Sequence, residues 1–263
     1  MKKPGTVRSH RYTYRHEWQL DEIEIIEETL ITIYVNGQEL ITLMGSPLDL
    51  DWLALGFLKN EGLIAGVDEV ERIRVSPNGC GVEVWLKRSF EKPERVIVTS
   101  GCGRGVTFND PADRIEPFRD TLRIEPEHIG TAINHLQSKD SLYARARGVH
   151  AAGLLNPDDN QLLAVAEDIG RHNSIDKVHG ACLVEGIETH GLVLLTTGRI
   201  SSEMLRKGAL MGCPIIASRT SPTSLSVNMA RTWNITLVGY VRRDGVQVYS
   251  SPERLGYNAP PPP

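Results

Sequence analysis

Three short apolar runs, residues 192–196, 214–218 and 235–240, alternate with two stretches of helical pattern that begin near Ser202 and Pro222. Apolar runs of this length separated by helices are the signature of a βαβαβ unit, in which a parallel sheet is covered by helices on its faces. Such crossovers are right-handed, so the turns that lead from strand to helix gather on one edge of the sheet. The loops following 196, 218 and 240 are therefore expected to be neighbours.

Upstream, residues 148–155 and 161–166 flank the turn Asn156-Pro157-Asp158-Asp159-Asn160, and a helix is expected from near Asn173 with Ile175, Val178, Cys182 and Leu183 facing inward. The N-terminal half reads differently. Asn36-Gly37 between two β-rich runs signals a hairpin, and Leu50, Leu53, Ala54, Phe57 and Leu58 form one face of a helix closed by Gly62. Strand-like runs follow at 70–75, 82–86 and 95–98. A polar stretch with Pro111, Pro117 and Pro126 then precedes a helix over about 127–137 that presents Ile129, Ile133 and Leu136. A chain of 263 residues is long enough for two domains. The expected division is a flexible basic arm over 1–16, an N-terminal α+β domain over 17–125, a C-terminal α/β domain over 126–250 and a Pro-rich tail over 251–263.

The net charge of −4 gives no general attraction to nucleic acid or to an anionic membrane, so any anionic ligand must be met by local groups. No run approaches the length of a membrane span, and the first 16 residues carry Lys2, Lys3, Arg8, Arg11 and Arg15 without the apolar core of a signal peptide. The four cysteines, Cys80, Cys102, Cys182 and Cys213, show no Cys-x-x-Cys spacing, which fits a reducing compartment. A cytoplasmic location is the expectation.

Cys102 lies in Ser100-Gly101-Cys102-Gly103-Arg104-Gly105, directly after the run Val96-Ile97-Val98. The glycines allow a tight turn with an accessible sulfur, and Arg104 with nearby backbone N–H groups would favour a thiolate able to attack electrophiles or carry a persulfide. A small apolar residue in a glycine turn is the competing reading, and the residues alone leave both open. Cys182 and Cys213 read as core thiols.

Three polar blocks fall at the expected sheet edge: Glu167–Asn173 with Asp168, Arg171 and His172; Thr196–Glu203 with Arg199 and Ser201; and Ser218–Ser224 with Arg219, Thr220 and Ser221. Hydroxyls at helix starts beside arginines suit a phosphate-bearing ligand, while Ser201, Ser221 and Pro222 are equally ordinary capping residues. Asp168, Arg171 and His172 read as an acid/base set or, preferably, as a salt-bridged loop. Tyr240-Val241-Arg242-Arg243-Asp244-Gly245 ends the last long strand with a ring and two guanidinium groups, able to stack a base and pair with phosphate, or simply to form a polar hairpin.

These blocks, with Val149-His150-Ala151-Ala152-Gly153 and Thr236-Leu237-Val238-Gly239-Tyr240, resemble the formate dehydrogenase accessory sulfurtransferases, the FdhD/NarQ family. The resemblance implies a cytidine-deaminase-like three-layer α/β/α C-terminal domain with a smaller N-terminal α+β domain. It implies a sulfurtransferase that takes sulfur from a cysteine desulfurase as a persulfide on Cys102 and passes it to the molybdenum or tungsten of a bis-pterin guanine dinucleotide cofactor destined for formate dehydrogenase. A guanine nucleotide would mimic part of that cofactor, residues 240–245 fall on the family's cofactor-binding segment, and a homodimer is expected. Arg171, His172, Arg199, Ser201, Thr220 and Ser221 are further candidates for holding the cofactor. Many members carry a second cysteine where this chain has Gly105, so Cys102 must act without a loop partner.

Two other functions compete. A zinc-dependent deaminase would start its His-x-Glu motif at His150, but position 152 is Ala where the proton-shuttling Glu belongs, and no Pro-Cys-x-x-Cys follows. A non-catalytic cofactor carrier would leave Cys102 incidental.

Overall fold

The computed structural model describes residues 5–98, 106–108, 115–138 and 141–257. The chain opens with a hairpin, β1 (Gly5–Thr13) paired antiparallel to β2 (Glu17–Ile25). Residues 5–13, expected within a flexible arm, are thus a strand. Cross-strand ladders explain this: Arg11 meets Asp21 at 3.0 Å, the Tyr12 ring packs at a tilt on Trp18 with centroids 4.9 Å apart, and Arg145 fixes β2 from outside through Glu24.

β3 (Thr29–Val35) and β4 (Gln38–Gly45) form the hairpin read from Asn36-Gly37, whose φ angles of 48° and 79° put both turn residues in the left-handed region that asparagine and glycine tolerate. Helix α1 (Leu50–Asn60) follows, then β5 (Val70–Val75) and β6 (Gly81–Leu86). β6 inserts parallel to β3, giving a four-stranded sheet in the order β4-β3-β6-β5. Ile31, Ile33, Val82 and Val84 pack with Leu53, Phe57 and Leu58 of α1 in one core. The expected strand at 95–98 shrinks to β7 (Ile97–Val98), paired with β8 (Val106–Thr107).

Residues 115–125 do not belong to this first unit. Phe118 and Ile115 pack against the C-terminal core, Ile124 N–H donates to Arg254, and Asp120 pairs with Arg254 at 2.8 Å. After them come α2 (Pro126–His135), the short α3 (Leu142–Ala146), β9 (His150–Leu155), β10 (Leu162–Asp168), α4 (Arg171–Glu185), β11 (Val193–Thr196), α5 (Ser202–Leu210), β12 (Ile215–Ser218), α6 (Ser224–Thr232), β13 (Thr236–Arg242) and β14 (Gly245–Ser250). The sheet order is β10-β9-β11-β12-β13-β14, with β11, β12 and β13 parallel and the outer pairings antiparallel. Alternation divides its side chains cleanly. Leu194, Ile216 and Leu237 face α4, α5 and α6, whereas Val193, Leu195, Ile215, Ala217 and Val238 face α2. The domain is a three-layer α/β/α sandwich. The chain from Pro252 to Leu255, within the segment expected as a Pro-rich tail, is a one-turn helix held by buried Arg254. None of the described helices is long and apolar enough to cross a membrane.

The two units meet where α1 crosses α4. A Cβ added at Gly56 would stand 1.7 Å from the Asp176 carbonyl oxygen, and one at Gly180 would stand 1.9 Å from that of Trp52. Backbone therefore lies on backbone, a contact only glycine permits at both positions. Gly56→Ala and Gly180→Ala are each predicted to destabilise the fold by about 3 kcal/mol or more, or to prevent soluble accumulation, because neither backbone can retreat. Thermal unfolding checks this, and a variant that melts with the wild type would contradict it.

Candidate functional site at the strand-end edge

The N-terminal end of β9 and the C-terminal ends of β10, β11, β12 and β13 lie along one edge, as His150 pairs with Asp168 and Ala152 with Thr196. The loops there brace one another. Thr197 Oγ1 accepts from Ala151 N–H at 2.9 Å, Ser218 Oγ donates to Gly198 O at 2.7 Å, and Thr220 N–H donates to Ser218 Oγ at 3.0 Å. Over this floor opens a cleft of ≈ 270 Å³ bounded by His150, Thr197, Arg219, Thr220, Arg242 and Gln137. Arg219 is held in place just past the end of α2, donating to Gln137 Oε1 at 2.7 Å. Arg242 also borders a second depression of ≈ 330 Å³ with Arg243, Asp244 and Gly245. Tyr240 is exposed, with φ 48° at a bulge in the β13–β14 pairing.

Val241 departs from the sequence expectation. Its side chain is buried in the core beneath α2, so it offers a ligand only backbone. Ser221 is not a helix cap, because Thr223 caps α6 in a reciprocal box with Ser226, and Pro222 instead bridges to Ile200. Ser201 does cap α5, accepting from Met204 N–H. Arg199 is exposed.

Arg171 and His172 lie behind the cleft rather than in it. Gly198 leaves room for Arg171, since a Cβ there would stand 2.7 Å from the arginine's own Cβ. His172 is 6% exposed, with Nε2 3.3 Å from both Ser201 Oγ and Glu203 Oε2. Burial, reinforced by the charges of Lys207 and Arg171, holds its pKa well below the usual histidine range. The ring is neutral at pH 7, so its contact with Glu203 is a hydrogen bond and not an ion pair. His150 is lowered too, by burial and then by Arg171.

Beneath these residues runs a buried polar network that the sequence did not reveal. Asp168 pairs with Lys177 at 2.7 Å and accepts from Ser46 N–H, Gly170 N–H and Asn173 Nδ2. Asp176 receives both Lys207 bonds, at 2.7 and 2.6 Å, and one from Asn60. Asn60 uses its amide nitrogen on Asp176, so its oxygen is the acceptor for His179 Nδ1–H at 2.7 Å. Burial pushes Asp176 up to about 6 and His179 down to about 4. Burial also pulls on Lys207, but Asp176, Glu203 and Glu61 together outweigh it, and its pKa is raised.

Cys102 and its loop lie outside the described residues. Among the remaining thiols, burial pushes Cys182 up to about 12 and raises Cys213 as well, as befits core residues, while Cys80 is half-buried beside Thr29. Among the described residues no three His, Cys, Asp or Glu side chains converge as metal ligands would, and His150 and Ala152 sit in a strand.

A braced strand-end edge rimmed by cationic and hydroxyl groups lies on a three-layer α/β/α domain joined to a smaller α+β unit. The model of the FdhD/NarQ family matches residues 26–256, and the chain belongs to that family. It is 35% identical over 88% of its length to the sulfur carrier protein FdhD of Bacillus pumilus, covering 90% of that protein, and 34% identical to the one from Staphylococcus aureus, covering 89%. A Desulfotalea psychrophila structure assigned as a formate dehydrogenase accessory protein superposes with a TM-score of 0.79 at 29% identity, over 97% of this chain and 100% of that one.

The buried network predicts a pH dependence. Between about pH 4 and 6 folded Asp176 holds a proton that the unfolded chain has lost, so acid favours the fold through this group. Folded His179 resists a proton that the unfolded chain accepts below 6.5, so acid disfavours the fold through it. These two nearly cancel, and the lowered His150 and His172 leave a net loss. Urea unfolding should show stability falling as pH drops from 6.5 toward 4, and His179→Gln should reduce that fall by up to about 3 kcal/mol.

Proposed function

We propose that this protein is a sulfur carrier for formate dehydrogenase, working as a sulfurtransferase through a persulfide on Cys102. The observation that carries the reading is the family match, which spans the cysteine loop and both domains and includes relatives called sulfur carrier proteins. The Cys102 thiolate attacks the outer sulfur of a cysteine desulfurase persulfide, forms Cys102–S–S⁻ and releases the desulfurase thiolate. The sulfane sulfur moves without net oxidation or reduction.

The acceptor is the molybdenum or tungsten bis-pterin guanine dinucleotide cofactor, here a cargo rather than a resident group. The strand-end cleft suits its diphosphates. Arg219 and Arg242 border it with planar guanidinium forks, Thr197 and Thr220 supply hydroxyls, and the neutral His150 ring can donate a hydrogen bond without adding charge. Arg243, Asp244 and Gly245 around the adjoining depression extend the surface toward the guanine end. The reading places the protein in the cytoplasm, where thiols stay reduced, and as a homodimer presenting two such clefts to a cofactor with two guanine nucleotides.

Two measurements check this. In a strain lacking its own carrier, Cys102→Ala should abolish formate dehydrogenase activity that the wild type restores; full restoration by the variant would leave a non-catalytic cofactor carrier instead. By calorimetry, Arg219→Ala and Arg242→Ala should each weaken binding of a guanine nucleoside diphosphate about tenfold, the worth of one charge-assisted contact, while Arg199→Ala, outside the cleft, should have a smaller effect.

A further inference from the structure

Helix α3 is five residues long, too short to be stable alone, yet side chains pin it at both ends. From β10, Glu167 spreads its carboxylate over the first turn: Oε2 accepts from Leu142 N–H at 2.7 Å and Oε1 from Tyr143 N–H at 3.0 Å. From the last turn, Arg145 donates two bonds to Glu24 of β2, at 2.9 and 3.0 Å. Arg147 and Gly148, with φ of 52° and 71°, then turn the chain directly into β9. Arginine is uncommon in that left-handed region, so the turn is imposed by its surroundings rather than by local preference. What this bracing places is Tyr143. Its half-buried ring borders the strand-end cleft beside Val149 and His150, and the Arg147 guanidinium lies over it, 6.0 Å from the centroid.

The order of the strands lays the cleft out as a line. Tyr143 and His150 stand at the β9 end, Arg219 and Thr220 follow β12, Arg242 ends β13, and the second depression reaches Gly245 of β14. Three strand spacings, about 14 Å, separate β9 from β13. At ≈ 270 Å³ the cleft is smaller than pockets that enclose a whole drug-sized ligand, so it suits one part of a longer one. A tyrosine face stacks planar heteroaromatic rings, whereas guanidinium forks suit phosphates. We propose that Tyr143 is a ring platform that stacks the pterin of the cargo cofactor, with the diphosphate on Arg219 and Arg242 and the guanine toward Gly245. This sets the direction of the cargo along the edge, its metal-bearing end over β9. Glu167 is a positioning residue that fixes Tyr143 through the first turn of α3. The proposal rests on the cleft holding a pterin guanine dinucleotide.

Calorimetry on the full chain with three probes tests it: inorganic diphosphate, hydroxymethylpterin diphosphate and guanosine diphosphate. Tyr143→Ala should weaken the pterin diphosphate about tenfold and leave the other two within about twofold, because one stacked ring is lost and the phosphate contacts stay. Tyr143→Phe keeps the aromatic face and should stay within about twofold of wild type for all three. Glu167→Ala should weaken the pterin diphosphate in the wild-type background and cost nothing further in Tyr143→Ala, as expected of a residue that acts through the ring. Thermal unfolding verifies that each variant is folded; should Tyr143→Ala not be, Tyr143→Leu replaces it, keeping bulk without an aromatic face. Wild-type affinity for the pterin diphosphate in the folded alanine or leucine variant overturns the proposal, as does a tenfold loss for inorganic diphosphate or for guanosine diphosphate. Additive losses in the double variant overturn the role of Glu167. A wild type that binds none of the probes removes the cofactor-cleft reading and the platform with it. If Arg219→Ala weakens all three while Tyr143→Ala weakens none, the platform alone falls.

Discussion

The crossing of α1 over α4 sets the geometry of the whole molecule. Gly56 and Gly180 let two backbones touch, and that contact brings a helix of the small sheet domain against the helix whose first turn carries Arg171 and His172. Once the helices are this close, the polar groups along their seam lose water and must find partners. Asp168 with Lys177 and Asp176 with Lys207 do so, helped by Ser46 and Asn60 from the other domain. Ion pairs this deep add little net stability over apolar packing, but removing one partner would strand the other. Both pairs lie within the C-terminal domain, and the bonds from Ser46 and Asn60 tie them to the other, so sliding the domains would strip buried carboxylates of hydrogen bonds.

That seam also links the small sheet domain to the strand-end edge. Glu61 at one end of the network holds Thr107 and Phe108, and Glu203 at the other touches His172 behind Gly198. Lys207, between them, feels both carboxylates.

The C-terminal sheet was readable in the chain because burial on both faces removes ambiguity. Residues 193–196 and 215–218 are buried throughout and apolar up to a closing Thr196 and Ser218, and the helix expected near Asn173 starts only two residues earlier, at Arg171. The β1–β2 hairpin was not readable, since its stability comes from cross-strand pairs such as Arg11 with Asp21 that a linear scan sees as scattered charge. Ser221 and Pro222 looked like a cap and first turn, yet Thr223 with Ser226 makes the better box one step later. At the site, the arginines and hydroxyls stood out by type, but Val241 shared a segment with Arg242 while pointing the other way. Glu61, Asp176 and Lys207 carried no local signal at all; each reads as one more charge on a helix until the partner helix is in place.

The central claim is that sulfur travels on Cys102, and mass spectrometry of the cysteine peptides after incubation with a cysteine desulfurase and cysteine tests it most directly. The account predicts one added sulfur on the Cys102 peptide, removable by a thiol reductant, with Cys182 and Cys213 unmodified in their raised-pKa core positions. An unmodified Cys102, or sulfur found on Cys80 instead, would contradict it.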